Sequence, residues 1–261
     1  WALLAAFGLP APGSFAPYLL ALLGLYQSLR NPSFTEDLIL DGRDAGSLGR
    51  LPPGRGHDAG KEDERALRVV QLTDPHLGPF MSPARLARIC RRAAAQEPDL
   101  LFITGDLMTM ESQNDVPAMR RALEPLAGLA AEGKVFACYG NHDHEDRRTV
   151  VEALGQLGIR LLVDEAVHVE TPSGEVEIVG ADFRFRRRRE HLEALFEALG
   201  PEGDVPRILL LHDPGAFALL PSGAAALTLS GHTHGGQLGL VSLGLPWTIV
   251  SLASKVPDHG Y

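Results

Sequence analysis

Five short apolar runs each lead directly into a side chain that can bind a metal ion. The runs are 69–72, 100–104, 135–139, 208–211 and 227–229, and the side chains that follow them are Asp74, His76, Asp106, Asn141, His142, His212, His232 and His234. Segments with helical spacing separate the first runs, as at 83–96 and 146–157. This alternation predicts an α/β chain with a largely parallel, buried sheet. Residues 158–179 differ, because a Pro-Ser-Gly turn at 172–174 predicts antiparallel hairpins there.

The residues that follow these runs form a candidate set of metal ligands. In open α/β sheets, sites form at the carboxyl ends of the strands, so we expect the side chains to meet in one crevice. Imidazole and carboxylate suit first-row metals such as Mn, Fe, Zn, Co or Ni. The set contains no Cys, which argues against a structural zinc site. Seven ligands exceed what one tetrahedral ion takes, which indicates two ions sharing a carboxylate. The seven are Asp74, His76, Asp106, Asn141, His212, His232 and His234.

The order of these motifs, D-x-H, G-D, G-N-H-D, H and G-H-x-H, resembles that of the calcineurin-like metallophosphoesterase family over about residues 68–235. The continuation G-H-T-H-G-G-Q at 231–237 is similar to the bacterial membrane-linked phosphodiesterase branch. The resemblance implies a mixed β-sandwich flanked by helices in four layers, the architecture of metallo-dependent phosphatases. Thr73 stands where Ser is common in the family, and Pro75 fills its variable position.

The resemblance also implies roles for individual residues. One divalent or trivalent ion would be held by Asp74, His76, Asp106 and His234, and a second by Asp106, Asn141, His212 and His232. His142 would face the phosphate and assist the leaving group, and Asp143 would orient His142. A hydroxide held between the ions would attack phosphorus in line. The implied function is a dinuclear metal-dependent phosphoester hydrolase of the phosphodiesterase or pyrophosphatase type.

Other interpretations of the same residues stay open. The chain could be a catalytically silent scaffold that keeps the fold. Such proteins usually lack one or more of the metal ligands, whereas every ligand position is filled in this sequence. Taken alone, Asp74 and Asp106 could be helix N-caps, and His212 could be structural. His144 lies outside the matched motif and is predicted to be a loop residue. Arg184 and the run 186–189 could bind phosphate or anionic lipid, but a solvated helix start is favoured.

Three regions are predicted along the chain: an apolar segment at 1–29, an edge strand with a linker at 30–66, and a catalytic domain at 67–261 that is cut short at its C-terminus. Residues 1–29 carry no charge, which favours membrane association over a packing helix at a domain edge. Pro10, Pro12 and Pro17 argue against one unbroken helix. Arginines at 30, 43, 50 and 55 favour a cytoplasmic catalytic domain.

The charge balance bears on the partners. A formal net charge of −9 disfavours non-specific nucleic-acid binding. The family resemblance and the apolar N-terminus imply a small-molecule or lipid-linked phosphoester as the partner.

Overall fold

The computed structural model describes residues 66–234, together with Tyr18, Leu19 and Leu22 in the N-terminal segment. Residues 66–234 fall within one compact unit. The remainder of the predicted membrane segment, the edge strand at 33–40, the linker and everything after residue 234 lie outside the described residues. Within the described part of the chain, no helix combines the length and apolar character needed to cross a bilayer.

The first sheet contains four parallel strands in chain order. They are β1 (Val69–Leu72), β2 (Leu100–Thr104), β3 (Val135–Cys138) and β4 (Arg160–Leu161). Strands β2 and β3 are buried along their whole length, which explains why they read as continuous apolar runs in the sequence. The predicted parallel, buried sheet is confirmed for this half of the fold.

The second sheet is mixed. It contains β5 (Glu165–Thr171), β6 (Gly174–Ala181), β7 (Arg207–Leu211) and β8 (Leu227–Leu229), in that order. Strands β5 and β6 form an antiparallel hairpin around the predicted turn, whereas β6, β7 and β8 are parallel. The five ligand-bearing runs are therefore divided between two sheets, three in the first and two in the second.

Within residues 66–234, five α-helices lie between these strands. They are α1 (Pro83–Ala94), α2 (Val116–Leu123), α3 (Ala127–Ala131), α4 (Arg147–Gln156) and α5 (Arg188–Leu199). Side chains cap three of them: Ser82, Asp115 and Asp146 each accept a hydrogen bond from a backbone N–H of the first turn. Helices α2 and α3 are separated by a 3-10 turn at Glu124–Leu126. Pro125 lies in this turn and has no N–H to continue the α-helical pattern.

Three apolar clusters show how the elements are layered. In β2, Leu101 and Ile103 belong to a cluster with α1, α2 and α4, whereas Phe102 belongs to a cluster with residues of the second sheet. The alternation follows from the period of two along a strand. On the far side of the second sheet, Leu209 packs with Phe196 of α5. The layers are therefore helix, sheet, sheet and helix, as the family resemblance implies.

Candidate metal centre

The seven predicted ligands lie together at the carboxyl ends of strands from both sheets. They are Asp74 and His76 after β1, Asp106 after β2, Asn141 after β3, His212 after β7, and His232 and His234 after β8. Backbone hydrogen bonds join the loops: His76 N–H donates to the Asp106 carbonyl at 3.0 Å, and Gly231 N–H donates to the His212 carbonyl at 3.0 Å. The expected crevice therefore draws on both sheets.

Three groups of side chains have ligand atoms close enough to hold a metal ion, all within 4.8 Å of one another. The groups are Asp74, His76 and His234; His76, Asp106 and His142; and Asp106, His212 and His232. Asn141 adjoins the third group, because its Oδ1 lies 3.3 Å from His212 Nε2. The groups overlap at His76 and Asp106, so they form one continuous cluster.

The arrangement of nitrogens inside the cluster fits a cation. His76 Nε2 lies 3.0 Å from His234 Nε2, and the two rings are stacked at 4.8 Å. Two neutral imidazoles can share a hydrogen bond there only if one of them presents its N–H to the other. A metal ion, in contrast, accepts lone pairs from both nitrogens. The donor chemistry of these residues therefore suits a bound metal.

Neighbouring groups orient the ligands. His212 Nδ1 lies 2.7 Å from the Thr104 carbonyl, which holds its proton on Nδ1 and leaves Nε2 facing Asp106 and Asn141. The Asp74 carboxylate accepts from the His232 backbone N–H at 2.9 Å and 3.0 Å. It also accepts from the Thr73 hydroxyl at 2.6 Å, so threonine serves at the position where serine is common in the family.

Five of the candidate ligands adopt left-handed backbone conformations, which are rare outside glycine. Their φ angles are 49° at Asp74, 45° at His76, 53° at Asp106, 69° at His232 and 55° at His234. Each such residue costs on the order of 1–2 kcal/mol, and strain of this kind gathers at functional sites. The fold thus accepts local strain to aim these side chains into one crevice.

Glycine allows the close approach of two of these loops. A Cβ atom at Gly140 would overlap the Asp106 carboxylate and its backbone nitrogen. Gly105, at φ 89°, adopts a conformation that side chains disfavour, and a Cβ there would lie 2.7 Å from His212 Nδ1. The glycines beside the ligands are therefore required by space as well as by backbone conformation.

The protonation states partly match metal binding. Burial lowers the pKa of His76 and of His232, which favours the neutral ring that a metal requires. Burial opposes ionisation of Asp106, but its hydrogen bond and charge interaction with His212 bring the pKa below the ordinary value. For His212, burial likewise lowers the pKa, yet Asp106 outweighs it and the net shift is upward. In the absence of metal, His212 and Asp106 therefore each favour the charged form of the other.

The structure shows the partners of Asp143, the residue that the family resemblance implies orients His142. The fully buried Asp143 carboxylate accepts backbone N–H bonds from Leu107 and Gly140, both at 2.8 Å. Burial raises its pKa to about 6. Asp143 therefore joins the loops that follow β2 and β3, since its oxygens are taken by these two amides rather than by His142.

Glu145 is the residue that contacts His142, and the sequence interpretation missed it. His142 Nδ1 lies 2.9 Å from Glu145 Oε1, and Glu145 Oε2 accepts a hydrogen bond from Gln113 Nε2 at 3.0 Å. His142 and Glu145 are three residues apart around a 3-10 turn, Asp143–Glu145. This spacing places them side by side and could have identified the pair.

The sequence interpretation also missed the residues that follow β6. The Phe183 ring lies 5.9 Å from the ring of His212 and 5.8 Å from that of His232. The preceding residue, Asp182, is buried and lies 2.9 Å from His144 Nε2. Their position directly after a strand was the available signal. This contact holds the His144 side chain against the residue that follows β6.

The fold and the donor set define a metal-dependent hydrolase of the metallo-dependent phosphatase type. Residues 67–236 match the family described as calcineurin-like phosphoesterase. The chain therefore belongs to the calcineurin-like phosphoesterase family and is a metal-dependent phosphoester hydrolase. The resemblance in the motif order is confirmed.

Several known proteins are similar to this chain. Phosphodiesterase YaeI of Escherichia coli (strain K12) is 29% identical over 194 residues, which cover 73% of this chain and 68% of the relative. A protein of Danio rerio named transmembrane protein with metallophosphoesterase domain is 33% identical over 190 residues, 68% of this chain but only 42% of the relative. The chain thus spans less than half the length of this second relative.

Among solved structures, the phosphopantetheinyl hydrolase PptH from Mycobacterium tuberculosis is similar at a TM-score of 0.39 and 15% identity, covering 64% of this chain and 83% of that chain. This likeness is too distant to inform the chemistry.

Proposed function

We propose that this chain hydrolyses phosphodiesters at a centre of two metal ions that share the Asp106 carboxylate. The observation that carries the proposal is the position of Asp106. Its Oδ2 lies 3.6 Å from His76 Nε2 on one side and 3.3 Å from His212 Nε2 on the other. One carboxylate therefore faces two groups of nitrogen ligands, an arrangement typical of a bridging ligand.

The remaining ligands divide between these two sides. Asp74, His76 and His234 would hold one ion with Asp106, and Asn141, His212 and His232 would hold the other with it. Mn, Fe, Zn, Co and Ni all suit this set of nitrogen and oxygen ligands. When bound, such ions supply activated water and neutralise charge on the phosphoryl oxygens.

His142 would act on the substrate rather than on a metal. Its side chain is 38% exposed, so a bound phosphoester can reach it. The carboxylate of Glu145 beside Nδ1 holds the proton on that nitrogen and leaves Nε2 to contact the ester. When the ring carries a proton on both nitrogens, Nε2 would give its proton to the departing oxygen and assist its release, and the charge on Glu145 would stabilise that form of the ring. Asp143 supports this role indirectly, by joining the two loops on either side of His142.

The substrate would be a membrane or lipid-linked phosphodiester. YaeI is named a phosphodiesterase, and another relative is named a transmembrane protein. The uncharged segment 1–29 would provide the membrane attachment, the linker would extend over 30–66, and the catalytic domain 67–261 would face the cytoplasm. Carbonate extraction of membranes should leave the full chain in the pellet, and protease added to sealed inverted vesicles should digest the catalytic domain.

The reaction can be tested with bis(p-nitrophenyl) phosphate and the Mn²⁺-loaded chain. We expect turnover by the parent, no measurable turnover by Asp106→Asn, and a fall in kcat of roughly 10²- to 10⁴-fold in His142→Ala. His168→Ala and Asp204→Asn are matched controls, because His168 lies on β5 in contact with Glu175, and Asp204 is exposed. Both controls should keep parental activity.

Metal analysis tests the number of ions separately. Two equivalents per chain, falling on substitution of Asp106, agree with a shared carboxylate. One equivalent in the fully active chain, or undiminished activity in Asp106→Asn, would refute the dinuclear proposal.

A further inference from the structure

The segment of residues 182–189, which follows β6 and ends in the first turn of α5, lies against the candidate metal centre. We call it the arginine–aromatic loop. Phe183 anchors it, because its buried ring contacts the rings of His212 and His232. A ligand held at these histidines would therefore lie within about one side chain of the loop.

Phe185 extends this surface outward. Its ring packs edge-on against Phe183 at 4.8 Å, yet it remains 73% exposed. Large apolar side chains exposed beside a binding site commonly mark a contact for a ligand or partner. The pair of rings offers a wall for a planar or apolar group that projects from the centre.

Arg184 is held in place beside this wall. Its Nη2 lies 3.3 Å from a carboxylate oxygen of Asp164 and 3.3 Å from one of Asp182. The Arg184 side chain is 44% exposed, and its guanidinium has five N–H donors, so it can offer donors to a ligand while two acids fix its position. Arg184 lines the same concavity as Phe183 and the metal-ligand candidate His212.

Arg186 carries the uncompensated charge of the loop. The other three arginines of the run have acidic partners, which are Glu190 for Arg187, Asp213 for Arg188 and Glu193 for Arg189. Arg186 is exposed and has no ion-pair partner within residues 66–234. In a chain of net charge −9, this local excess of positive charge favours an anion.

We propose that the arginine–aromatic loop binds a second anionic group of the substrate, the adjacent phosphate of a diphosphate diester, and that Phe185 packs on its organic moiety. This inference rests on the proposed function. In the reaction, the oxygen of water joins the phosphorus at the metal centre and the bridging P–O bond breaks. The bridging oxygen leaves on the second phosphate, and the products are two phosphomonoesters with the protons of water released or transferred. Arg184 and Arg186 stabilise the leaving phosphomonoester.

The test compares a substrate that has a second phosphate with one that lacks it. We would measure kcat/KM of the Mn²⁺-loaded full chain for uridine diphosphate glucose and for bis(p-nitrophenyl) phosphate. The kcat/KM for uridine diphosphate glucose, divided by that for bis(p-nitrophenyl) phosphate, should fall about 10- to 100-fold in Arg186→Ala, because a charge-assisted hydrogen bond is lost. Arg186→Lys should recover part of it. Arg121→Ala, an exposed arginine on α2, is the matched control and should keep the ratio.

Two further arms identify the source of the phosphate and measure binding directly. Cytidine diphosphate diacylglycerol in neutral phosphatidylcholine vesicles presents the diphosphate on a lipid without an anionic surface. A lower relative kcat/KM of Arg186→Ala for either diphosphate supports a phosphate subsite on the arginine–aromatic loop. The diphosphate that shows the decrease identifies whether the subsite accepts soluble or lipid substrates. Calorimetry with α,β-methylene uridine diphosphate should give a Kd that rises in Arg186→Ala and in Phe185→Ala.

Specific results would overturn the inference. Unchanged ratios for both diphosphates in Arg186→Ala would exclude the subsite. The subsite would also be excluded if Arg186→Ala weakened only the binding of the chain to anionic phosphatidylglycerol vesicles. That result would instead assign the loop to the membrane surface. Turnover of bis(p-nitrophenyl) phosphate without hydrolysis of any diphosphate refutes this inference alone. Absence of turnover with all substrates refutes the proposed function itself.

Discussion

At the scale of single residues, Glu145 decides how His142 is presented. A carboxylate beside Nδ1 favours the tautomer that carries its proton on that nitrogen and fixes the direction of the ring. Gln113, which donates to the second oxygen of Glu145, limits the rotation of that carboxylate. We therefore propose that Glu145 has the orienting role that the family resemblance implied for Asp143.

Replacement of Glu145 by glutamine should weaken this control without removing His142. We expect kcat of Glu145→Gln to fall about tenfold, in line with the effect of losing an orienting partner. The fall should be larger for diesters with an alkoxide leaving group than for those with p-nitrophenolate, which needs little proton transfer. Steady-state kinetics on both substrates measure this difference.

Glu175→Gln is the matched control, because Glu175 contacts the remote His168 through an equivalent bond of 3.0 Å. An equal loss for both leaving groups in Glu145→Gln would show that Glu145 does not act through His142.

Gly140 should tolerate no side chain. In Gly140→Ala, the new methyl would meet the Asp106 carboxylate, so metal content should drop and the free energy of unfolding should fall by about 1–3 kcal/mol. Gly155→Ala, where no atom lies within 4 Å in α4, should instead gain about 0.5–1 kcal/mol. Metal analysis and urea unfolding test both. Full metal content in Gly140→Ala would contradict the prediction.

At the scale of secondary-structure elements, Asp164 connects the segment before β5 to the arginine–aromatic loop and α5. Its Oδ1 accepts from the Asp182 N–H at 2.8 Å and lies 2.8 Å from His191 Nε2. Its Oδ2 contacts Arg184. Burial alone would raise the pKa of Asp164, but these partners outweigh it and the pKa is lowered.

This network should make stability depend on pH. A lowered pKa in the folded state means that ionised Asp164 stabilises the fold above its ordinary value of 3.8, and that this contribution is lost as the pH falls through the folded-state pKa. We expect metal-free Asp164→Asn to be less stable than the parent at neutral pH, with the difference shrinking in acid. Urea unfolding over a pH series measures it, with the exposed Asp204→Asn as control. A difference that stays constant with pH would count against this role.

At the scale of the whole molecule, the candidate centre joins the two sheets. Asp74, Asp106 and Asn141 follow strands of the first sheet, whereas His212 and His232 follow strands of the second. A ligand that binds across both should stabilise the folded state as a unit, because it binds that state and has little affinity for the unfolded chain.

Removal of metal should therefore lower the Tm. At a metal concentration of about 100 times Kd, binding contributes roughly 2.7 kcal/mol, which corresponds to a shift of about 5–10 °C in a domain of this size. Calorimetry of the chelator-treated chain, with and without added Mn²⁺, measures the shift. In Asp106→Ala, added Mn²⁺ should raise the Tm only slightly. A shift of the same size in Asp106→Ala would place the stabilising metal elsewhere.

The sequence by itself was sufficient to predict most of the strands and helices and to name the candidate ligands that the structure brings together. Continuous apolar runs such as β2 and capped amphipathic helices such as α1 depend on local periodicity, which can be counted along the chain. The ordered set of Asp, Asn and His residues is also local, because each stands within a few residues of a strand end. Their convergence in the structure agrees with the rule that strand ends share one edge.

Tertiary structure alone decided which groups meet across the chain. Strand pairing distributes the five runs between two sheets, a non-local choice that the alternation of strand and helix does not specify. Packing also decides that the Asp143 carboxylate is buried against backbone amides and that the Glu145 carboxylate lies beside the His142 imidazole. The contact of Phe183 with His212 joins loops after different strands. Such contacts are set by packing in three dimensions, so local sequence patterns carry little information about them.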